Sequence, residues 1–352
     1  MASDNLSPAA QDLLAMPVTQ TNLVSDGFVA AHTIDPNLVN AWGISHSPTS
    51  PFWVSDNGTG VATLYDGSGT PFPAANPLVV TIPTPDGTGT SAPTGQVFNG
   101  GGGFVVTEGD HSGSAAFLFA TEDGTISGWN PNVDPTNAVL VVDNSAEGAV
   151  YKGLAIASTR HGELLYAADF HNGAVDVFDA NFHQVNSFTD PFVPSDYAPF
   201  NVQVLGNDLF VTFAQQDDAK HDDVPGPGHG YVDQFDFSGH LLHRMAANGP
   251  LDSPWGLDIA PASFGKFAGD LLVGNFGDGT IDVFDKKTDA FVGMLSGPDG
   301  QPLHIDGLWA LINGNGGNGG DPNTVYFSAG PDDEAHGLFG SLSPTVTDHP
   351  LA

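Results

Sequence analysis

The sequence predicts an all-β protein, a six-bladed β-propeller with four-stranded blades whose N-terminal strand closes the last blade. Three observations predict this fold: a repeat of about 50 residues, a hairpin signal inside the repeats, and a composition rich in turn residues. A repeat of this length is typical of propeller blades, because each unit buries its apolar faces only against its neighbours.

The composition is that of a folded chain with many short strands. Among 352 residues there are 45 Gly, 27 Pro and 24 Phe. Gly and Pro in these amounts supply tight turns, whereas the aromatic content is too high for a disordered chain. The chain has no cysteine, which excludes disulfides, thiol catalysis and Cys-ligated zinc.

The charge of the chain limits its partners. Forty-one acidic residues against seven Lys and Arg give a formal net charge of −34. Phosphate backbones and anionic lipid surfaces repel such a chain, so we expect no nucleic acid partner and no membrane insertion. A small molecule or a saccharide is the expected ligand, and we expect a monomer.

Two sequence markers define the repeat and run in step along the chain. The first is an aromatic residue followed by Asp, Asn or Gly: Tyr65-Asp66, Trp129-Asn130, Phe178-Asp179, Phe235-Asp236, Phe284-Asp285 and Phe339-Gly340. The second is a small or turn residue that opens an apolar strand: Gly43, Gly95, Gly153, Asn201, Gly256 and Gly307. Each interval is therefore predicted to be one blade.

A hairpin lies between the two markers. The segments LLYAADFHNGAVDVFD (164–179), LLVGNFGDGTIDVFD (271–285) and WVSDNGTGVATLYD (53–66) share one pattern. Apolar residues alternate on both sides of Asn-Gly or Asp-Gly, which is typical of a β-hairpin. Each unit is thus predicted to contain four strands, A to D.

Both ends of the chain are predicted to take part in closing the ring. The sixth unit ends at SLSPTV (341–346) with little sequence left for a fourth strand, whereas residues 21–25 are β-prone and precede the first blade. We predict an N-terminal extension at 1–20, one propeller domain at 21–345, and a C-terminal tail at 346–352.

Polar residues are predicted to converge on one rim of the central channel, where strand A begins and strand B ends. The rim set is Asn40, Trp42, Asp56, Asn57, Thr94, Glu122, Lys152, Asp169, His171, Phe200, Asn201, residues 215–217, Trp255, Asn275, His304, Asp306, Asp332, Asp333, Glu334 and His336.

Three rim residues share one repeat position: Asp56, Asp169 and Asn275. Three oxygen ligands around one axis suit a hard cation, and Asn201 would add a fourth. An Asp or Asn before a glycine turn also commonly bonds its own backbone. Metal binding and turn holding are therefore both open for these residues.

Charged residues interrupt the pattern where strand A begins. The first and fifth units have Trp42 and Trp255, whereas the third has Lys152 and the sixth Asp306. A charge at a narrow mouth costs desolvation free energy unless it is paired, so we expect Lys152 to pair with Asp306 or Asp169. Capture of a substrate carboxylate or phosphate is the alternative for this lysine.

The fourth unit carries an insertion, QQDDAKHDDVPGPGHG (215–230), in its B to C turn. The loop would lie over the mouth. His221 and His229 among aspartates form a ligand set that suits Zn²⁺, Mn²⁺ or Cu²⁺ as well as Ca²⁺. A polar surface loop stiffened by Pro225 and Pro227 is the alternative.

Several phrases resemble those of an uncharacterised family of secreted bacterial β-propeller proteins. They include SPWGLDIAP (253–261), DGLWALINGNG (306–316) and SAGPDDEAHGLFG (328–340). More loosely, the chain is similar to NHL-repeat and gluconolactonase-like six-bladed propellers. The first resemblance implies export and thus an extracellular or periplasmic location, although residues 1–20 lack the pattern of an export signal.

Two functions follow as expectations. The first is a divalent-metal site at the mouth, Ca²⁺ before Zn²⁺, Mn²⁺ or Cu²⁺, in a lactonase-like hydrolase or lyase. Its predicted metal ligands are Asp56, Asp169, Asn201, Asn275, His221 and His229. Its predicted catalytic residues are Lys152, His171, His304, Asp306 and His336. The second is a propeller that binds a ligand, sugar or metal without turnover and is stiffened by calcium.

Overall fold

The computed structural model describes residues 15–160 and 162–345. Residues 1–14 of the predicted extension and the predicted tail lie outside the described residues. The fold is all-β and propeller-like, and we number its strands β1 to β27 along the chain. Two 3₁₀ helices accompany the strands, Ser145–Glu147 and Ala262–Phe267. Among the described residues, no helix is both long enough and apolar enough to cross a lipid bilayer.

Four antiparallel sheets contain four strands each. The first contains β3 (Ala41–Ser45), β4 (Phe52–Asp56), β5 (Val61–Tyr65) and β6 (Val79–Thr81). The second contains β7 (Pro93–Phe98), β10 (Phe117–Thr121), β11 (Thr125–Trp129) and β12 (Val139–Asp143). A separate hairpin, β8 (Val105–Glu108) and β9 (His111–Ser114), interrupts this second sheet in sequence.

The third and fourth sheets follow the chain without interruption. The third contains β13 (Tyr151–Thr159), β14 (Gly162–Asp169), β15 (Ala174–Asp179) and β16 (Gln184–Phe188). The fourth contains β17 (Tyr197–Leu205), β18 (Asp208–Gln215), β19 (Tyr231–Phe235) and β20 (Leu241–Ala247). The insertion at 215–230 lies between β18 and β19, as the repeat predicts.

The remaining strands form one nine-stranded sheet. It contains β1 (Ala15–Ser25), β2 (Thr33–Ile34), β21 (Pro254–Ile259), β22 (Leu271–Asn275), β23 (Ile281–Phe284), β24 (Phe291–Ser296), β25 (Leu308–Asn313), β26 (Val325–Ala329) and β27 (Leu338–Pro344). The order is β21-β22-β23-β24-β1-β27-β26-β25, with β2 paired to β1.

The N-terminal strand pairs with two other strands. Residues 18–25 of β1 run antiparallel to β27, whereas residues 15–17 run parallel to residues 294–296 of β24. Pairing of the N-terminal strand with the last strand agrees with the sequence prediction. The strand begins at Ala15 rather than at residue 21, and its second contact joins the fifth and sixth units into one sheet. Strand pairing therefore does not divide the chain into six separate sheets.

The glycines of the second marker permit close packing between the first strands of neighbouring units, which we call the inner strands. β3 contacts β7, β7 contacts β13, β13 contacts β17, β17 contacts β21, β21 contacts β25, and β25 contacts β3. A Cβ on Gly95 would lie 2.7 Å from the backbone of Gly153, and one on Gly256 would lie 2.6 Å from the carbonyl oxygen of Trp309. Larger residues would push neighbouring strands apart, so this marker reports strand packing around the axis.

The first marker combines a buried aromatic residue at a strand end with an Asp that holds the next turn. Phe178 is buried and packs against Tyr151 of β13 with ring centroids 6.5 Å apart. Asp179 Oδ1 accepts hydrogen bonds from the backbone N–H groups of Asn181 and His183, at 2.8 and 3.0 Å. Local turn chemistry of this kind explains why the marker is visible in the sequence.

Candidate functional site

Three tryptophans, Trp42, Trp255 and Trp309, pack together near the beginning of the inner strands β3, β21 and β25. The Trp42 and Trp309 rings are stacked with centroids 3.6 Å apart, and Trp255 meets both at steep angles. Trp309 thus occupies the repeat position of Trp42 and Trp255. The sequence alignment that gave this position to Asp306 is wrong by three residues, since β25 begins only at Leu308.

The channel is narrow directly behind these rings. A cavity of about 20 Å³ lies among the inner strands, lined in part by Gln96, Asn201 and Leu311. That volume is close to what a single water molecule needs. A second cavity of about 230 Å³, lined in part by Gln96, Leu154 and Gln203, lies at the opposite end of the same strands. The channel is therefore narrow beneath the tryptophans and wider at its other end.

Lys152 lies beneath this rim. Its side chain is 2% exposed, and Nζ donates to a carboxylate oxygen of Glu122 and to Asp222 Oδ1 at 3.1 Å. Nζ is also 5.2 Å from the centroid of the Trp42 ring, a cation–π geometry. The prediction that Lys152 pairs with an acid is confirmed, but the predicted partners, Asp306 and Asp169, are wrong.

Burial and neighbouring charges shift the pKa values of Lys152 and Asp222 in opposite directions. Burial by itself lowers the pKa of Lys152, but Glu122 and Asp222 together raise it above its ordinary value. Burial also disfavours the ionised form of Asp222, yet Lys152 beside it holds the pKa of that carboxyl below its usual range. Both groups are therefore charged at neutral pH, as an ammonium and a carboxylate.

Hydrogen bonds extend this ion pair across the rim. Asn57 Nδ2 donates to Glu122 Oε2 at 2.9 Å, and Asn40 Nδ2 donates to Asn57 Oδ1 at 3.2 Å and to Glu334 Oε2 at 2.5 Å. Trp309 Nε1 donates to Asn40 Oδ1 at 2.9 Å. We refer to the connected residues as the rim network: Asn40, Asn57, Glu122, Lys152, Asp222 and Glu334.

Glu334 belongs to a segment with an unusual backbone. Asp332, Asp333 and Glu334 have φ angles of 59°, 50° and 64°, which residues with a Cβ rarely adopt. Burial, followed by the nearby Glu122, raises the pKa of Glu334 to about 7, although Lys152 acts in the opposite direction. The rim network thus contains a carboxyl group that exchanges a proton near neutral pH.

Three side chains at the rim have the spacing of metal ligands. Ligand atoms of Glu122, His221 and Asp222 all lie within 4.8 Å of one another, and no second group of three such residues occurs in the described part of the chain. Ligands bound at 2.0 to 2.6 Å from one cation have roughly this spacing. The group contains the predicted ligand His221 and Asp222, one of the aspartates in the predicted ligand set of the insertion. Glu122 was predicted to lie on the rim but not to bind the metal.

The residues predicted from the repeat position do end strands β4, β14 and β22. Asp169 Oδ1 accepts hydrogen bonds from the backbone N–H groups of Val150 and Asn172, at 3.2 and 3.1 Å. Asn275 Oδ1 accepts one from Asp252 N at 3.1 Å. Asp169 therefore has the geometry of the turn-holding alternative. Asn275 instead bonds a separate loop before β21, and its Nδ2 donates to Asp282 Oδ2 at 2.9 Å.

The other predicted ligands have different surroundings. Burial raises the pKa of Asp56 well above its ordinary value, and the neighbouring Thr63 acts in the opposite direction. Asn201 bridges inner strands, since its Nδ2 donates to Trp255 O at 2.8 Å. The His229 ring lies 2.9 Å from Val224 O and is outside the three-residue ligand group.

The structure does not bring the predicted histidines to Lys152. His336 Nδ1 lies 2.6 Å from Asp26 Oδ2, and its ring stacks on the ring of Phe28. His304 Nδ1 lies 3.0 Å from Asp278 O, and Asp306 accepts a hydrogen bond from the backbone of Asp332. His171 lines a separate groove. Their catalytic roles stay predictions.

Comparison with known proteins identifies homologous proteins and solved structures with a similar fold. No family model matches the chain. It is 37% identical over 331 residues to the uncharacterized protein L690 of Acanthamoeba polyphaga mimivirus, covering 91% of this chain and 84% of that protein. It is also 35% identical over 324 residues to the uncharacterized protein R648 of the same virus, covering 89% and 76%.

Solved structures show the same architecture at low identity. A streptogramin B lyase superposes with a TM-score of 0.52 at 10% identity, covering 93% of this chain and 97% of the lyase. A catalytically inactive virginiamycin B lyase from Staphylococcus aureus with quinupristin gives 0.53 at 11%, covering 94% and 100%. Identities this low show the fold alone.

These relatives correct the expected family. The homologous proteins are viral and uncharacterised, so the resemblance to secreted bacterial proteins does not hold for family, although it does for a propeller fold. The chain belongs to the same family as the mimivirus proteins L690 and R648.

Proposed function

We propose that this protein is a six-bladed propeller that binds a divalent cation at its rim and uses it in a lactonase-like or lyase-like reaction. Two features support six blades. The nine-stranded sheet contains two sets of four strands, β21–β24 and β25–β27 with β1, joined through a short parallel contact. The first strand of each of the six units contacts the first strand of the next unit, and that of the sixth contacts that of the first, so the contacts form a closed ring.

The spacing of Glu122, His221 and Asp222 carries the cation proposal. Two carboxylates and one ammonium leave the site with a net negative charge, to which Glu334 adds when it is ionised. A divalent cation would offset this charge. Because it would also repel Lys152, the ammonium has to give up one of its two carboxylates. We therefore expect reversible binding, with Ca²⁺, Mn²⁺ and Zn²⁺ as the ions to test.

The rim residues have complementary roles in this scheme. The bound cation would polarise the carbonyl oxygen of an ester or lactone. Lys152, released from one carboxylate, would stabilise the negative charge that develops on that oxygen. Glu334 would give or accept the proton, because its carboxyl exchanges a proton near neutral pH.

Binding without turnover is the second candidate, and the hydrogen bonding favours it specifically. Asn40 and Asn57 connect Glu122 and Glu334 into a continuous network within one rim. Such a network holds its members rigidly and would serve a structural cation as well as a catalytic one. The metal roles of Asp56, Asp169, Asn201, Asn275 and His229 stay predictions in either case, as does a location outside the cytoplasm.

Calorimetric titration of chelator-treated protein with each cation tests the proposal. We expect one saturable site per chain, weakened at least about tenfold by Glu122→Gln or His221→Ala, since each removes a ligand. His183→Ala is the matched control, because His183 is exposed, pairs with Asp179 in the turn between β15 and β16, and is not one of the three candidate ligands. Binding that Glu122→Gln leaves intact would refute the site.

Turnover separates the two candidates. The same variants are assayed on a panel of lactones and esters, with and without the cation that binds. Hydrolysis or elimination that needs the cation and is lost in Glu122→Gln supports the enzyme. Cation binding with no turnover of any panel member, combined with a cation-dependent rise in melting temperature, supports the structural role.

A further inference from the structure

A groove beside the rim network is built from three separate segments of the chain. They are the turn 171–173 after β14, residues 189–197 from the end of β16 to the first residue of β17, and part of the insertion at 215–230. Its volume is about 300 Å³, at the lower end of the range for small-molecule sites. Gln216 Nε2 donates to the carbonyl oxygen of Phe170, so the groove adjoins the residue whose ring lies 5.8 Å from Lys152 Nζ.

The groove concentrates groups that attract anions in a strongly acidic protein. Lys220 and His171 both line it. Within the described residues, neither side chain forms an ion pair or a hydrogen bond. A chain of net charge −34 has only seven Lys and Arg, so an uncommitted ammonium at a cavity is a distinctive feature.

Asp190, the acidic residue that lines the groove, does not offset the attraction of Lys220 and His171 for anions. Its side chain is buried, and its carboxylate is paired with Arg244. The backbone N–H of Phe192 donates to the same carboxylate at 2.8 Å. Arg244 also pairs with Asp233, and burial raises the pKa of Asp233 to about 7. This inner group therefore carries little net negative charge, and Asp190 has a partner other than Lys220.

The remaining wall is partly apolar and also includes the polar residues Asn172, Thr189, Ser195 and Gln216. Val193, Pro194 and Tyr197 line one side of the groove. Such a wall gains free energy by covering the apolar body of a ligand, whereas inorganic anions gain nothing from it. The site therefore combines one anion-binding end with one hydrophobic side.

We propose that this groove binds a small organic acid, with its carboxylate on Lys220 and His171 and its apolar body on the wall of Val193, Pro194 and Tyr197. The groove is separate from the cation site, and the proposal does not depend on it. Measurements are therefore made in chelator, where the cation site has no ion to bind.

Benzoate is the probe, and benzyl alcohol is its neutral counterpart. Ligand-observed NMR and calorimetry should show benzoate binding that is at least about tenfold weaker in Lys220→Gln, because a charge-assisted hydrogen bond is lost. His171→Gln should weaken it several-fold. Lys287→Gln removes the same charge at an exposed turn and should leave binding unchanged. Benzyl alcohol should bind more weakly than benzoate.

Three results would overturn the proposal. The first is no detectable benzoate binding, and the second is equal binding by Lys220→Gln and the unsubstituted protein. The third is inorganic phosphate binding as tightly as benzoate, which would show that the apolar wall contributes nothing. Unchanged melting temperatures of both glutamine variants establish that a loss of binding is local.

Discussion

The ammonium of Lys152 and the carboxylate of Asp222 lie 3.1 Å apart, although 70 residues separate them in sequence. Lys152 belongs to an inner strand, β13, whereas Asp222 belongs to the insertion between β18 and β19. Their contact holds the insertion over the rim and closes the group that also contains Glu122. The one buried lysine of this group therefore links the propeller scaffold to the loop that supplies two of the candidate cation ligands.

Replacing Lys152 by Met tests how much this link stabilises the fold. The substitution leaves the carboxylate of Glu122, which is 13% exposed, without its counter-charge, whereas Asp222 is 67% exposed and stays hydrated. Removing one partner of a buried ion pair costs about 3 to 5 kcal/mol, and we expect the lower value because only one of the two carboxylates is buried. Urea unfolding should show that loss in the free energy of unfolding. Lys287→Met, at an exposed turn, should change it by less than about 0.5 kcal/mol. Equal stabilities of the two variants would contradict the prediction.

Glu334 should make the stability of the protein depend on pH. Burial raises its pKa from an ordinary 4.5 to about 7 in the folded state. Between these values the folded protein keeps the proton while the unfolded chain releases it, so the folded state binds more protons. The stabilisation from this carboxyl is therefore complete below pH 4.5 and is lost as the pH rises through 7.

The variant Glu334→Gln isolates this effect, because Gln imitates the protonated carboxyl. The free energy of unfolding of the unsubstituted protein, relative to the variant, should fall between pH 5 and pH 8. Denaturation at a series of pH values measures the difference. A difference that does not change over this range would mean that Glu334 has an ordinary pKa in the folded protein.

Gly95→Ala tests the close packing of the inner strands. The new Cβ would lie 2.7 Å from the backbone of Gly153, so strands β7 and β13 have to separate. Overpacking of this kind typically costs about 1 to 3 kcal/mol, and the clash with backbone favours the upper value. Gly102→Ala is the control, since its Cβ would meet nothing within 4 Å. Chemical denaturation of both variants should separate them clearly, and similar stabilities would argue against tight packing here.

The repeat made much of the fold predictable, because its markers report local physics. Asp179 is visible in the sequence because it holds a turn through its own neighbours, and Gly95 because a side chain there would clash. The sequence predicts the wrong register for the sixth unit, because Gly307 resembles the strand marker. Gly307 has a φ of 64° and serves a turn, and the strand starts one residue later, at Leu308.

The partners of the rim lysine were not predictable in the same way. Glu122 and Glu334 were placed on the correct rim by the repeat, but their connection runs through the amides of Asn40 and Asn57. Asp222 lies in an insertion, whose path the repeat does not determine. Loops that depart from the repeat therefore determine which charged residues contact one another at the mouth.

Val24→Ala tests whether β1 stabilises the fold at the point where the two ends of the chain meet. Val24 is fully buried in β1 and pairs with Phe339 of β27. Truncating it leaves a cavity, and we expect the free energy of unfolding to fall by about 2 kcal/mol. Thr19→Ala lies in the same strand but on its exposed side, so it should change stability by less than about 0.5 kcal/mol. If urea midpoints of both variants match the unsubstituted protein, β1 contributes nothing to closure, and the proposal of six blades loses the strand that completes the sixth.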